Sequence, residues 1–188
     1  EICEICGCLA AMLRYSTNTK ERYATVEKEL EYLDRYIFLL KSRYEHRLEV
    51  EVDCEESVKQ EQLPKIVLQQ LVENSIQHGY NNSKNIMKIY VHGWRDETGW
   101  YFEVRDNGQG ATEEVREELN EKMRKIREKI MSRGSSIEME IGGMGLANTY
   151  ARMFLLYNGK AVFRIRNMEE GLSVIIGVSE KEERTDVS

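Results

Sequence analysis

Apolar residues recur every three or four positions in the first part of the chain, which predicts two amphipathic helices. The first helix is predicted from the stripe Ile2, Ile5, Leu9, Met12 and Leu13. The second helix fits residues 26–44 and is predicted from the stripe Leu30, Leu33, Ile37 and Leu40. Together the two helices form a hairpin-like lead-in over residues 1–45.

Five later segments are predicted to be strands, and apolar and polar residues alternate with a period of two in the first and the third of them. The segments are LEVEVDC (48–54), IMKIYVHGW (86–94), GWYFEVRD (99–106), KAVFRIRN (160–167) and GLSVIIGV (171–178). Helical spacing between them predicts three further helices, at residues 64–79, 113–133 and 147–156. We expect Pro64, the only proline, in the first turn of the earliest of these helices.

These elements predict an α+β fold in which one mixed sheet carries helices on a single face, a two-layer sandwich preceded by a short helical segment. The pattern divides the chain into a helical region (1–45), an α+β domain (46–180) and a flexible charged tail (181–188). Because Glu1 begins inside a helical pattern without an initiator methionine or a capping residue, we expect the chain to be a piece of a longer protein.

Composition narrows the class of protein. The 188 residues are 41% hydrophobic and 32% charged, which suits a soluble globular protein. A net charge of −6, without a Lys/Arg cluster interleaved with aromatic residues, argues against nucleic acid as the main partner. No apolar run approaches the roughly 20 residues of a membrane span, so we expect no membrane insertion by this segment and a cytoplasmic location.

Cysteine spacing leaves a metal site open but does not favour it. The four cysteines are Cys3, Cys6, Cys8 and Cys54, and the first two form a CxxC pair. A closed zinc site needs about four nitrogen or sulfur ligands, and neither a second CxxC nor a nearby histidine follows. We therefore interpret them as reduced thiols.

The helix predicted at residues 64–79 has a polar face at about 100° per residue. That face carries Gln70, Glu73, Asn74 and Gln77, with His78 at its border. Because Gln70, Asn74 and His78 are four residues apart, they are expected to form one continuous polar row. The face lacks Lys and Arg, and its amide and carboxylate oxygens suit Mg²⁺. An ordinary solvated face is the alternative interpretation.

Two glycine-containing turns add candidate chemistry. Asp106 continues the apolar face of a strand into the turn Asn107-Gly108, where a carboxylate is costly unless it accepts hydrogen bonds. Further along, the paired glycines of GGMGL open a helix, whose free N–H groups favour phosphate. Turn formation, capping or packing explains either motif alone. The charged segment between the turns ends in glycines at both sides, which predicts a movable cover or a solvated helix.

The three motifs in this order resemble the N, G1 and G2 boxes of the GHKL ATPases, the superfamily of gyrase, Hsp90, MutL and the histidine kinases. We call them the first box (LVENSIQHG, 71–79), the second box (RDNGQG, 105–110) and the third box (GGMGLAN, 142–148). With LRYS (13–16) and ELEYLDRYIFLLKSRY (29–44), nearly the whole chain resembles the LytS/YesM-type sensor histidine kinases.

This resemblance implies an ATP-binding kinase domain that uses Mg²⁺. It implies that Asn74 binds Mg²⁺ and that Asp106 accepts a hydrogen bond from the amino group of adenine. It also implies that Glu73 and Asn74 are the catalytic residues. The remaining expected ATP-binding residues are Gln70, His78, Gly108, Gly110, Gly143, Gly145 and Leu146. It also implies a homodimeric full-length kinase, a response regulator as partner, and a place in the cytoplasmic part of a membrane-anchored bacterial sensor.

The chain departs from the family pattern in two places. The family's phosphoacceptor histidine lies in a box similar to HFLFN, upstream of the LRYS segment. Here the histidines are His46, His78 and His92, and none lies in such a box, so we expect the acceptor outside this chain. The late strand has Gly171-Leu172 where the family usually has Gly-Thr, which puts a lid or phosphate contact in question.

Gln70 distinguishes between the chemistries of the superfamily. Gyrase-like ATPases and anti-sigma serine kinases have a glutamate four residues before the magnesium asparagine, and it activates water or a serine hydroxyl. An amide is a poor general base, whereas neutral imidazole is already nucleophilic, so Gln70 favours transfer to histidine. The alternatives that stay open are an anti-sigma-type serine protein kinase and a non-catalytic ATP-binding signalling module.

Overall fold

The structure, a computed structural model, describes residues 2–18, 20–79, 86–133 and 145–180. Its helices are α1 (Ile2–Thr17), α2 (Val26–Tyr44), α3 (Val67–Asn74), α4 (Glu113–Arg133) and α5 (Gly145–Leu156). Its strands are β1 (Tyr23–Thr25), β2 (Leu48–Cys54), β3 (Gln62–Pro64), β4 (Met87–Asp96), β5 (Gly99–Asp106), β6 (Ala161–Asn167) and β7 (Leu172–Ser179). A π-helical turn, Ser75–Gly79, continues α3.

The main sheet has five strands in the order β2-β4-β5-β7-β6. Strands β2 and β4 are parallel, with Leu48 opposite Met87, and the other neighbours are antiparallel. Strands β1 and β3 form a separate antiparallel pair. The mixed sheet with its helices confirms the predicted α+β class.

The main hydrophobic core lies between the sheet and helices α2, α3 and α5. Alternate strand residues such as Ile89, Phe102 and Ile176 are fully buried there against Leu33 and Leu71 from the helices. The rings of His92, Trp94 and Tyr101 lie on the opposite face of the sheet, where successive ring centroids are 5.3 and 5.5 Å apart. One face of the sheet therefore supports all three helices, as the strand alternation predicted.

Helix α4 packs on α5 through a second hydrophobic cluster, formed by Met123, Ile130, Tyr150 and Phe154. The apolar stripe of α4 is therefore folded onto a neighbour along its C-terminal part, whereas Val115 near its start is 45% exposed. Of the two interpretations of this segment, a packed helix fits the structure better than a wholly solvated one.

Several predicted boundaries agree with the structure, but the start of α3 does not. The bounds of α2, β2, β5 and α4 are those predicted. Pro64 does not open a helix: it ends β3, and the N–H of Lys65 still donates to the carbonyl of Arg22 beside β1. Ile66 then adopts a left-handed conformation, with φ of 70°, so helical geometry starts only at Val67. Strands β1 and β3 are three residues each, too short for a periodic pattern.

Helix α1 contacts α2, and the Tyr15 ring lies 4.7 Å from that of Tyr32. Its apolar residues Ile2, Leu9 and Leu13 are exposed. The apolar stripe of α2 belongs to the main core. The division of the chain into two regions after residue 45 stays a prediction. The predicted tail, residues 181–188, lies outside the described residues. Within the described residues, no helix is both long and apolar enough to cross a membrane.

Candidate functional site

The three boxes meet at the end of α3. A methyl group built on Gly108 of the second box would lie 2.4 Å from the Cα atom of Gly79 in the first box. A methyl group on Gly145 of the third box would lie 2.7 Å from the Asn74 amide nitrogen. Both distances are too short for a Cβ atom, so any residue other than glycine at these two positions would clash. Gly108 and Gly145 therefore allow the boxes to contact one another.

Asp106 ends β5 and is 4% exposed. Its Oδ1 atom accepts hydrogen bonds from the backbone N–H groups of Gly108, at 2.8 Å, and Leu172, at 3.3 Å. The hydroxyl of Ser75 adds a third hydrogen bond. Burial raises the pKa of the Asp106 carboxyl above its ordinary value, although the hydrogen bonds act in the opposite direction. The site thus holds a buried carboxylate whose orientation is fixed by its neighbours.

Gly171 covers the backbone of Asp106. Its φ of 82° is left-handed, and a methyl group there would lie 1.9 Å from the Asp106 carbonyl oxygen. The next residue, Leu172, contributes its N–H group to the carboxylate, a contact that does not depend on the side chain. The departure from the family's Gly-Thr pair therefore leaves this backbone contact in place.

Asn74 is the last residue of α3 and is half-buried. Its Nδ2 atom donates to the carbonyl of Gln70 at 2.7 Å, so the amide nitrogen is turned toward its own helix. Oδ1 is the atom of this side chain that suits a cation. The described residues contain no cluster of three or more His, Cys, Asp or Glu able to hold a metal. A metal at Asn74 would therefore depend on waters and ligand oxygens, as Mg²⁺ at phosphate sites commonly does.

Gln70 lies one helical turn before Asn74 and is bound to α5. Its Oε1 atom accepts from the hydroxyl of Thr149 at 3.0 Å and from the guanidinium of Arg152 at 3.4 Å. The Thr149 hydroxyl also lies 2.9 Å from the carbonyl of Gly145 in the third box. The amide oxygen of Gln70, just before the first box, thus connects α3 with α5, the helix that begins inside the third box.

Glu73 and His78 have few contacts with the rest of the site. Burial raises the pKa of Tyr36 on α2 to about 12, and the negative charge of Glu73 raises it further. Its Oε1 accepts from Gln77. His78 is exposed, and its carbonyl lies 3.4 Å from the Gln109 amide. Ser75–Gly79 form a π turn with i to i+5 hydrogen bonds, so the α-helical geometry assumed for the polar row ends at Asn74.

The remaining predicted residues lie at the edges of the site. Gly110 has a left-handed φ of 71°. The side chain of Asn167, at the end of β6, pairs with both backbone groups of Ala111, at 3.0 and 2.8 Å, and so anchors this loop. Leu146 is half-buried and packs against the main core. Gly143 lies outside the described residues, so its predicted role has no structural counterpart here.

Sequence patterns alone missed several residues that shape the site, namely Ser75, Gly79, Thr149, Arg152, Asn167 and Gly171. Ser75 and Gly79 lie inside the first box, and Thr149 and Arg152 follow the third box within the same helix. Their position in or beside a motif is the only signal that was available. Asn167 had no such signal, because its contact spans 56 residues.

Comparison with known families agrees with this geometry. The family model described as histidine kinase-, DNA gyrase B-, and HSP90-like ATPase matches residues 59–185. A second model, described as histidine kinase, matches residues 1–48. The chain belongs to the histidine kinase-, DNA gyrase B- and HSP90-like ATPase family, which confirms the resemblance of the three boxes.

Individual relatives narrow the likeness to sensor kinases. The sensor protein LytS of Enterococcus faecalis is 33% identical over 147 residues, covering 78% of this chain and 23% of that protein. LytS of Bacillus cereus is 28% identical over 157 residues, covering 83% of this chain and 25% of that protein. The chain thus spans about a quarter of the length of these relatives. The catalytic domain of histidine kinase ThkA shares the fold, with a TM-score of 0.53 at 17% identity, covering 85% of this chain and 99% of that one.

Proposed function

We propose that this chain is the ATP-binding catalytic part of a two-component sensor histidine kinase. In this proposal it transfers the γ-phosphoryl group of ATP to a histidine other than His46, His78 and His92, from which it passes to an aspartate of a response regulator. The observation that carries the proposal is the meeting of the three boxes around Asn74, Asp106 and Gly145. Each motif alone has an ordinary structural explanation. Because the three boxes contact one another, we interpret them as parts of a single site.

Asp106 is the proposed adenine contact. Two backbone donors already hold its Oδ1 atom, so the carboxylate keeps a fixed direction without a ligand. A buried carboxylate that accepts the amino group of adenine recovers part of its desolvation cost. Guanine has a carbonyl oxygen at the equivalent position and offers no donor there. Gly108 and Gly110 are proposed to let the backbone approach the base.

The phosphates are proposed to lie between Asn74 and the start of α5. Free N–H groups at a helix start favour phosphate, and Gly145 begins α5 next to Asn74. Asn74 would hold Mg²⁺ through Oδ1, and the ion would neutralise charge on the phosphate oxygens when bound. Gly143 and Leu146 are proposed to belong to the same phosphate side of the site.

The position of Gln70 supports histidine as the acceptor. A kinase for serine needs a group that removes the hydroxyl proton. Gln70 is an amide whose oxygen is engaged by Thr149 and Arg152, and the Glu73 carboxylate accepts from Gln77 of the first box. A neutral imidazole needs no such base. In this proposal the negative charge of Glu73 contributes to the electrostatics of the first box, and Asn74 contributes by holding Mg²⁺. A module that only binds ATP is the second candidate, and a serine protein kinase of the anti-sigma type is the third.

The proposed partners are a response regulator and a second copy of the full-length kinase. Support for the second copy comes from α1, whose exposed apolar residues Ile2, Leu9 and Leu13 follow helical spacing. The proposed location is the cytoplasmic part of a membrane-anchored sensor.

The test combines this chain, radiolabelled ATP and a longer version of the protein that carries the upstream helical segment. We expect the chain to bind ADP and ATP, to show little self-phosphorylation, and to label a histidine of the longer version with an acid-labile, base-stable phosphoryl group. An acid-stable phosphoserine would support the serine kinase instead. ATP binding without any transfer would support the binding module, and strong labelling of His46, His78 or His92 would contradict an external acceptor.

A further inference from the structure

Four buried or half-buried polar side chains connect α1 with the start of α3. They are Tyr15 of α1, Glu29 of α2, Lys65 before α3, and Arg152 of α5, and we call them the junction. None of them belongs to the three boxes. Charged groups away from water are costly unless they are paired, so such a cluster constrains the elements that carry it.

Glu29 holds the first turn of α3. Its side chain is 1% exposed, and its Oε1 atom accepts the N–H of Ile66 at 2.8 Å. Burial raises the pKa of this carboxyl, and the nearby backbone groups of Val67 and Leu68 act in the opposite direction, while its Oε2 atom has no hydrogen-bond partner among the described residues. The residue at the N-cap position of α3 is Ile66, which makes no side-chain capping bond. A carboxylate from another helix therefore accepts the N–H group at the N-cap position and places a negative charge at the start of α3, where the helix dipole favours it.

Tyr15 and Lys65 attach this carboxylate to α1. The Tyr15 hydroxyl donates to Glu29 Oε1 at 2.6 Å, the same oxygen that receives the Ile66 N–H. The Lys65 ammonium lies 4.5 Å above the Tyr15 ring and 3.4 Å from the carbonyls of Tyr15 and Asn18. These carbonyls are at the C-terminal end of α1, where a cation is favoured by the helix dipole. Lys65, two residues before the start of α3, thus caps the C-terminal end of α1.

Arg152 extends the contacts into the site. Its guanidinium donates to the backbone carbonyl of Lys65 and to Oε1 of Gln70. Gln70 in turn contacts Thr149, whose hydroxyl reaches Gly145 at the third box. An unbroken series of hydrogen bonds therefore runs from the end of α1 to both sides of the proposed phosphate site.

We propose that the junction couples the position of α1 to the nucleotide site, with Glu29 as the positioning residue, and this inference rests on the proposed function. Gln70 and Asn74 share the eight-residue helix whose first turn Glu29 holds. A movement of α1 that breaks the Tyr15 contact leaves Glu29 and Lys65 with fewer partners in a buried position. The first turn of α3 must then move or loosen, and the residues at its other end change position with it.

The first experiment removes one hydroxyl from α1. Tyr15→Phe keeps the ring but loses the Glu29 contact, and Tyr15 lies in none of the boxes. We expect the affinity for ADP with Mg²⁺, measured by calorimetry well below the melting temperature, to fall by about threefold to tenfold. The matched control is Tyr101→Phe, which loses a hydroxyl contact to Thr98 at 2.7 Å on the other face of the sheet. That variant should bind ADP like the unchanged protein. Glu29→Ala is the second variant: it removes the oxygen that accepts from both Tyr15 and Ile66, so its effect should equal or exceed that of Tyr15→Phe.

The second experiment uses the reciprocity of coupling, because a site that senses α1 must also influence it. Cys8 is half-buried on α1, and the other three cysteines are replaced by serine. We expect ADP to slow the labelling of Cys8 by a thiol reagent, and Tyr15→Phe to abolish most of that effect.

The outcomes separate the two proposals. Absence of ADP binding by the unchanged protein would defeat the proposed function, and the coupling with it. Normal ADP binding by both Tyr15→Phe and Glu29→Ala would overturn the coupling alone, as would an equal loss of affinity in the Tyr101→Phe control. A lower melting temperature of Tyr15→Phe with unchanged ADP affinity would assign the junction a structural role only, and would also overturn the coupling.

Discussion

The two ends of α3 differ in construction. At the start, a buried carboxylate and a left-handed residue, Glu29 and Ile66, fix the first turn from outside the helix. At the end, the helix widens into a π turn, and half-buried Asn74 and buried Gly79 face glycines of the other two boxes. The start is held by hydrogen bonds between buried groups, whereas the end is shaped by the close approach of backbones. One helix thus separates the anchoring contacts at its start from the proposed ligand site at its end.

The strongest effect is expected at the end of the helix. Asn74→Ala removes the proposed magnesium ligand and should abolish phosphotransfer to the upstream histidine. ADP affinity without Mg²⁺ should change much less, because the adenine contact is untouched. The measurement is phosphotransfer together with calorimetry in the presence and absence of Mg²⁺. Equal loss of binding under both conditions would indicate a damaged helix instead of a lost metal ligand.

Asp106→Asn should weaken ADP binding by about tenfold to a hundredfold, the effect of one mismatched buried hydrogen bond. Asparagine keeps an oxygen for the N–H groups of Gly108 and Leu172 but presents a donor to the amino group of adenine. Calorimetry tests the affinity. Unchanged affinity would remove Asp106 from the proposed role.

The same variant has a pH signature. Because burial raises the pKa of Asp106 in the folded protein, its folded state binds the proton more tightly than its unfolded state. This contribution favours the folded protein at low pH and is lost as the pH rises through the folded pKa. Asp106→Asn should therefore gain stability relative to the unchanged protein between acidic and neutral pH. Melting curves of both proteins at acidic and at neutral pH provide the measurement. A variant that loses stability relative to the unchanged protein as the pH rises to neutral would contradict this prediction.

At the start of the helix the expected effect is on stability. Glu29→Ala leaves the Ile66 N–H and the Tyr15 hydroxyl without their buried acceptor, which should cost about 1–3 kcal/mol in the free energy of unfolding. Urea denaturation provides the measurement. Asn74→Ala is the control from the other end and should cost less. A larger stability loss in Asn74→Ala would remove the distinction between the two ends.

The smallest effect is expected from Thr149→Val, which has nearly the same shape and lies midway between the two ends. It removes the hydroxyl contact to Gln70, while Arg152 still reaches the same oxygen. We expect a stability loss of about 0.5–1.5 kcal/mol in urea denaturation and little change in ADP affinity. An affinity loss as large as that of Asp106→Asn would show that Thr149 itself contacts the nucleotide.

The end of α3 was more predictable from the sequence than its start. Asp106 and Gly108 were predicted because alternation and turn chemistry are local patterns, and α2, β2, β5 and α4 had clear periodicity over seven or more residues. The junction had no local pattern: Glu29 is 37 residues from Ile66, and Arg152 is 87 residues from Lys65. On α2, Glu29 resembles any solvent-facing helical glutamate. The π turn was also missed, because the regular spacing of four residues assumed an unbroken α-helix.

The π turn also constrains how this segment can vary. Over the six residues 74–79 the chain must place Asn74 against Gly145 at the start of α5 and Gly79 against Gly108 in the turn after β5. Insertion or deletion of one residue between Asn74 and Gly79 would turn one of these two residues away from its partner glycine while the other contact is kept. Related proteins that preserve both contacts should therefore keep the length of this segment even where its other side chains differ. An alignment that opens a gap there would identify a relative with a rebuilt pocket.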